Sequence, residues 1–137
     1  MAIFEWDESI SLNIPMIDDQ HRQLIGWVAA LNDAVQKSAG AQAIEQVLLN
    51  LTDYVFNHFS EEERLMLSID FPGLDSHRQE HNFFVTRLEE IMERFQNGEE
   101  IGNDTLEFMS DWIVGHIKGT DRIYGSFMLA GSDRAGV

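Results

Sequence analysis

The chain has 137 residues and 44% apolar side chains, enough for one domain with a sizeable core. Its formal charge of −15 argues against nucleic acid and anionic membrane as partners, since both call for basic patches. The absence of cysteine excludes disulfides, thiolate metal ligands and iron–sulfur clusters, and it agrees with a cytoplasmic location. Met1 to Asp7 has no basic stretch followed by an apolar run, so no signal peptide is expected there. No stretch is long and apolar enough to span a bilayer.

Residues 1–17 read as an irregular arm carrying Trp6 and Pro15. Asp18 or Asp19 can cap a first helix over about 19–38, with Leu24, Trp27, Val28, Leu31 and Val35 at helical spacing. Gly40 separates it from a second helix over about 41–67, where Ile44, Val47, Leu48, Leu51, Val55, Phe59 and Met66 recur at threes and fours. Asp70-Phe71-Pro72-Gly73 is a turn. A third helix over about 74–97 carries Phe84, Leu88, Ile91 and Phe95, and Asn97-Gly98 stops it. Asn103 or Asp104 can cap a fourth over about 104–129, with a frayed tail beyond. No segment alternates as a strand would. The expectation is an all-α fold, an antiparallel up-down-up-down four-helix bundle forming one domain over 1–137.

The five histidines fall on all four predicted helices: His21, His58, the pair His77 and His81, and His116. His58 and Glu62 are four apart, an offset of about 40° that puts both on one helical face. Glu61 lies about 60° off on the other side and Glu63 about 140° off, so geometry prefers Glu62 over Glu61 and rejects Glu63. His77 and His81 share the four-residue relation, and two imidazoles so placed can chelate one metal. His116 and Asp121 are five apart, which splays them by about 140° on a regular helix. They share a face only if the helix widens between them, and Gly115 and Gly119 weaken it there.

A single helical histidine is usually a hydrogen-bonded core or boundary residue. Five that can all be placed at bundle positions, beside Phe59, Phe83, Phe84, Trp112 and Ile113, make a shared metal the stronger reading.

At these residues the chain resembles the hemerythrin family, specifically its single-domain bacterial members. The matching stretches are Asp18-Asp19-Gln20-His21, His58-Phe59-Ser60-Glu61-Glu62, His77-Arg78-Gln79-Glu80-His81, and Trp112 through Asp121. Trp6-Asp7 looks like the family's N-terminal arm, and the resemblance runs from about Trp6 to Met128. It implies a non-haem di-iron centre with His77, His81 and His116 on one iron and His21 and His58 on the other. Glu62 and Asp121 would bridge the two, and the five-residue spacing of His116 and Asp121 is the family's own. Phe59, Trp112 and Ile113 match positions near the ligand pocket, with Ile113 standing where the family more often has leucine, and Leu24 and Trp27, a turn or more past His21, are expected to line it too.

Two octahedral irons offer twelve positions. Five imidazoles, two bridging carboxylates and a single-atom oxo or hydroxo bridge fill eleven. The vacancy then falls on the iron with two histidines. The implied function is reversible dioxygen binding, for carriage, storage or sensing, by a binding protein and not an enzyme. A di-iron enzyme acting on peroxide or nitric oxide is the alternative, but no ExxH motif of the ferritin-like kind is present. Zinc could load the same residues, although structural zinc prefers four ligands.

Overall fold

The computed structural model describes residues 6–135. Four long helical segments make an antiparallel bundle, and no strand occurs among the described residues. They are α1 (Pro15–Gln36), α2 (Ala41–Ser68), α3 (Leu74–Gln96) and a fourth segment made of three parts. Those parts are α4 (Asn103–Gly115), a π-helical turn (His116–Asp121) and α5 (Arg122–Ala135). α1 packs on α2 and α4, and α2 packs on α3. No described helix is long and apolar enough to cross a membrane.

The helix ends depart from expectation in instructive ways. α1 begins at Pro15, four residues early, because proline suits the first helical position, where its missing N–H costs nothing. Asp18 and Asp19 therefore cap nothing. Asp18 lies inside the first turn and reaches back to the arm, accepting from Ser11 Oγ at 2.5 Å and Leu12 N at 2.8 Å. The arm is tied down: it holds a short 3₁₀ turn at Glu8–Ile10, and Ile10 is fully buried. Residues 1–5, also assigned to the arm, lie outside the described residues. Gly102, not Asn103 or Asp104, precedes α4, with no side-chain cap. α5 continues to Ala135 where a frayed tail was expected, and residues 136–137 lie outside the described residues. Gly98 closes α3 with φ +95°, a conformation that glycine adopts without a Cβ clash.

The predicted apolar stripes meet along the bundle axis. Leu31, Leu48, Leu51, Val55, Leu88, Leu106 and Met109 are completely buried in one cluster. Each contributes roughly 1.5–3 kcal/mol by removal from water. A second cluster of Leu12, Ile14, Ile17, Met66, Phe71 and Tyr124 sits where the arm, the α2–α3 turn and α5 meet. Polar residues gather in the interior near the π-turn.

Candidate metal centre

Each helical segment contributes to one buried group. α1 places His21, α2 places His58 and Glu62, α3 places His77 and His81, and the π-turn places His116 and Asp121. All seven are at most 7% exposed. The two four-residue pairs are aimed by ordinary helical winding. The five-residue pair is aimed by the π-turn, whose wider i→i+5 register brings His116 and Asp121 to one side.

All five imidazoles present Nε2 to the two carboxylates. Asp121 divides its oxygens: Oδ1 lies 2.8 Å from His77 and 3.1 Å from His116, while Oδ2 lies 3.1 Å from His21. Glu62 Oε1 lies 3.3 Å from His81 and 3.4 Å from His58, and Oε2 lies 3.4 Å from His21. Two overlapping donor sets result, each with one ligand atom per residue and all atoms within 4.8 Å. One is Glu62, His77, His81, His116 and Asp121; the other is His21, His58, Glu62 and Asp121.

The electrostatics show how ill suited this group is to standing alone. Burial opposes charge on His21, but the carboxylates of Asp121 and then Glu62 beside its Nε2 outweigh it and push the imidazole up to about 9. Burial dominates at His58 and lowers it. Burial also opposes ionisation of Glu62 and Asp121, yet the surrounding imidazoles hold both carboxyls below their ordinary range.

Even so, His21 Nε2, His58 Nε2, His77 Nε2, Glu62 Oε1 and Asp121 Oδ1 are buried without any hydrogen bond of sound geometry, despite their short separations. The Nε2 atoms of His81 and His116 face each other at 3.1 Å. Converging, unsatisfied donors of this kind are costly to bury without a shared partner. Five imidazole nitrogens and two carboxylates, with no sulfur, suit a pair of borderline divalent or trivalent metals such as iron.

A further set of residues touches the imidazoles from outside. His58 Nδ1–H donates to Gln20 Oε1 at 2.7 Å, and Gln20 Nε2 donates to Glu61 Oε2 at 2.7 Å. His81 Nδ1–H donates to Glu63 Oε2 at 2.9 Å, and Arg78 Nε donates to Glu63 Oε1 at 3.1 Å. Tyr124 donates to Glu62 Oε2. Spacing along one helix cannot find these groups, because each reaches a neighbouring helix. The usable signal is chemical: a metal-bound imidazole needs an acceptor for its other N–H, and Gln20 and Glu61 lie inside the matched stretches while Glu63 directly follows one.

Around the imidazoles the wall is aromatic and aliphatic. Phe59 stacks on His81 with centroids 3.8 Å apart, and Trp112 stacks on His116 at 4.6 Å. Leu24 and Ile113 are buried in the same cluster as Phe59. Ile113 also lines, with Ile25, Val28, Ser110 and Val114, a seam between α1 and α4 with no space for a water molecule. Phe83 does not belong to this wall: it is 52% exposed and packs on Phe108.

The chain is similar to known proteins along most of its length. The hemerythrin HHE cation binding domain matches residues 12–127. A bacteriohemerythrin of Stenotrophomonas maltophilia is 35% identical over 130 residues, 95% of this chain and 84% of that one. A bacteriohemerythrin of Methylococcus capsulatus is 32% identical over 95% of this chain and all of its own length. A crystal structure of wild-type hemerythrin superposes with a TM-score of 0.85 at 31% identity, covering 91% of this chain and 97% of the other. With the fold, the interior histidines and a domain match that spans most of its length in agreement, this chain belongs to the hemerythrin family.

Proposed function

We propose that the protein binds dioxygen reversibly at a non-haem di-iron centre, serving oxygen carriage, storage or sensing. His77, His81 and His116 would hold one iron, His21 and His58 the other, with Glu62 and Asp121 spanning both. The observation that carries this reading is the pair of overlapping donor sets sharing those two carboxylates. The relatives named bacteriohemerythrin and hemerythrin support it. When bound, the irons, joined by an oxo or hydroxo bridge, would supply the electrons and the open position that dioxygen needs.

The chain's own part is to position and to exclude. Asp121 is already split between the two sets, so the carboxylate needs no rotation to span them. Phe59 and Trp112 stack on imidazoles of the three-histidine side, and the count of ligands would leave the open position on the two-histidine side. Leu24, Phe59 and Ile113 keep that side apolar and poor in protons, conditions that favour release of dioxygen unchanged. No glutamate-rich ExxH pair is available for the ferritin-like type of oxygen activation, which favours binding over catalysis.

The test is iron content and the visible spectrum of the reduced protein before and after oxygen. Two irons per chain and a charge-transfer band that disappears on deoxygenation are expected. Bleaching that never reverses, or steady consumption of added peroxide or nitric oxide, would replace this reading with the enzymatic one.

A further inference from the structure

Residues 61–63 of α2 are three glutamates in a row, and helical winding sends them in three directions about 100° apart. Glu62 points inward between the two donor sets. Glu63 leaves the core on the α3 side and accepts from His81 Nδ1, with Arg78 fixing its other oxygen. Glu61 leaves on the α1 side and does not reach an imidazole. It accepts from the Gln20 amide, whose carbonyl in turn accepts from His58 Nδ1. Tyr54 frames this second relay, donating to the Gln20 backbone carbonyl at 3.1 Å and stacking on His58.

The two relays differ in charge at the imidazole. His81 is hydrogen-bonded directly to a carboxylate, whereas His58 meets a neutral amide and the carboxylate lies one bond further out. On the same side as His81, the Glu80 carboxylate also sits 3.7 Å from His116 Nδ1. An anionic acceptor on the outer nitrogen makes the inner nitrogen a stronger donor to metal, and charge-assisted hydrogen bonds are about twice as strong as neutral ones. We propose that Glu63 and the Gln20–Glu61 pair are positioning residues that make the two metal positions unequal. Glu63 strengthens the position of His77, His81 and His116, so that it fills first, and the amide of Gln20 leaves the position of His21 and His58 weaker. The inference rests on the two-metal reading above and adds to it an order of filling set by side chains that touch no metal.

The test is titration of the metal-free protein with Co(II), followed by calorimetry and by the visible absorption of the bound ion. The wild type is expected to take up two ions in two resolved steps, with His58→Ala abolishing the weaker one. Glu63→Gln keeps a hydrogen-bond acceptor but removes the charge. It should weaken the tighter step about tenfold or more, with the weaker step changed less than about twofold. The double variant Gln20→Glu/Glu61→Gln exchanges amide and carboxylate with no change in net charge. It should tighten the weaker step and narrow the gap between the two. Equal weakening of both steps by Glu63→Gln, or a gap unchanged in the exchange variant, would overturn the proposal. Should Glu63→Gln fail to fold by circular dichroism, the exchange variant, which leaves Glu63 in place, decides alone. Uptake of fewer than two ions by the wild type would instead overturn the two-metal reading.

Discussion

Tyr124 and Glu62 are joined by a hydrogen bond of 2.6 Å in which the phenol donates to Oε2, and neither side chain reaches solvent. Among the described residues the phenol is the only hydrogen-bond donor to Glu62 that is not itself a candidate ligand, so it anchors the shared carboxylate from the α5 side. Tyr124→Phe should destabilise the metal-free protein by about 1.5–3 kcal/mol in urea unfolding, the usual range for a bond to a buried charge. It should also loosen metal binding. Burial, followed by the nearby Glu62 charge, holds the Tyr124 phenol un-ionised well beyond its ordinary range, while burial pushes Tyr54 up to about 12. These are the chain's two tyrosines, so ultraviolet titration should find no phenolate near pH 10 while the fold persists. A titration at the ordinary value would contradict the burial of both rings.

Stability of the metal-free protein should fall on both sides of neutrality. The folded value of His21, about 9, lies above its ordinary 6.5, so its contribution is complete below 6.5 and is lost as pH rises through 9. Glu62 and Asp121 are depressed when folded, so theirs is present above the ordinary carboxylate range and lost as pH falls. His58 is also depressed, so its protonation below 6.5 opposes folding. Thermal midpoints measured across pH should therefore decline between 6.5 and 9. Metal binding requires neutral imidazoles, so loading in that window should release protons and remove the alkaline decline. A midpoint that climbs through the same window in the metal-free protein would contradict the charge assigned to His21.

Ile113→Ala would open the α1–α4 seam beside the centre, and Trp112→Ala would uncover His116. Each should shorten the lifetime of the oxygenated form several-fold, measured as decay of its visible band. Ile113→Ala should also cost about 2–5 kcal/mol of stability. Ile113→Val, which removes one methylene, should fall between it and the wild type in both. Decay rates equal to wild type would remove Ile113 from any protective role.

Deleting Gly119 would restore ordinary winding with His116 and Asp121 four apart, an offset of about 40° that keeps both on one face. Helical content should stay near that of the wild type, and the protein should still take up two metals per chain. Uptake of fewer than two metals would show that the wide turn itself is needed, beyond the direction it gives Asp121.

The bundle was legible because its periodic leucines, valines and phenylalanines serve burial alone. Six of the seven inward-facing residues were equally legible, because regular winding converts spacing into direction. Asp121 was not: by helical geometry it points away from His116, and only the resemblance, or a widened turn, brings it back. Pro15 and Asp18 misled because proline looks like a boundary and aspartate like a cap. Proline also fits a first turn, however, and Asp18 satisfies the arm instead of its own helix. Glu63 was rejected as a face partner of His58. Its contact with His81 depends on where α3 lies, which no periodicity within α2 records.

The π-turn has a consequence beyond its two ligands. A surplus residue in a helix shifts the phase of everything downstream, so α4 and α5 present their apolar residues along different meridians. Met109 and Ile113 are seated in the axial cluster by one phase, and Tyr124, with Phe127 and Met128, is seated against the arm by the other. Straightening the turn with every residue kept would unseat the last helix along with Asp121. Metal coordination and the docking of α5 are thereby geared together, so that strain applied at either one is felt at the other.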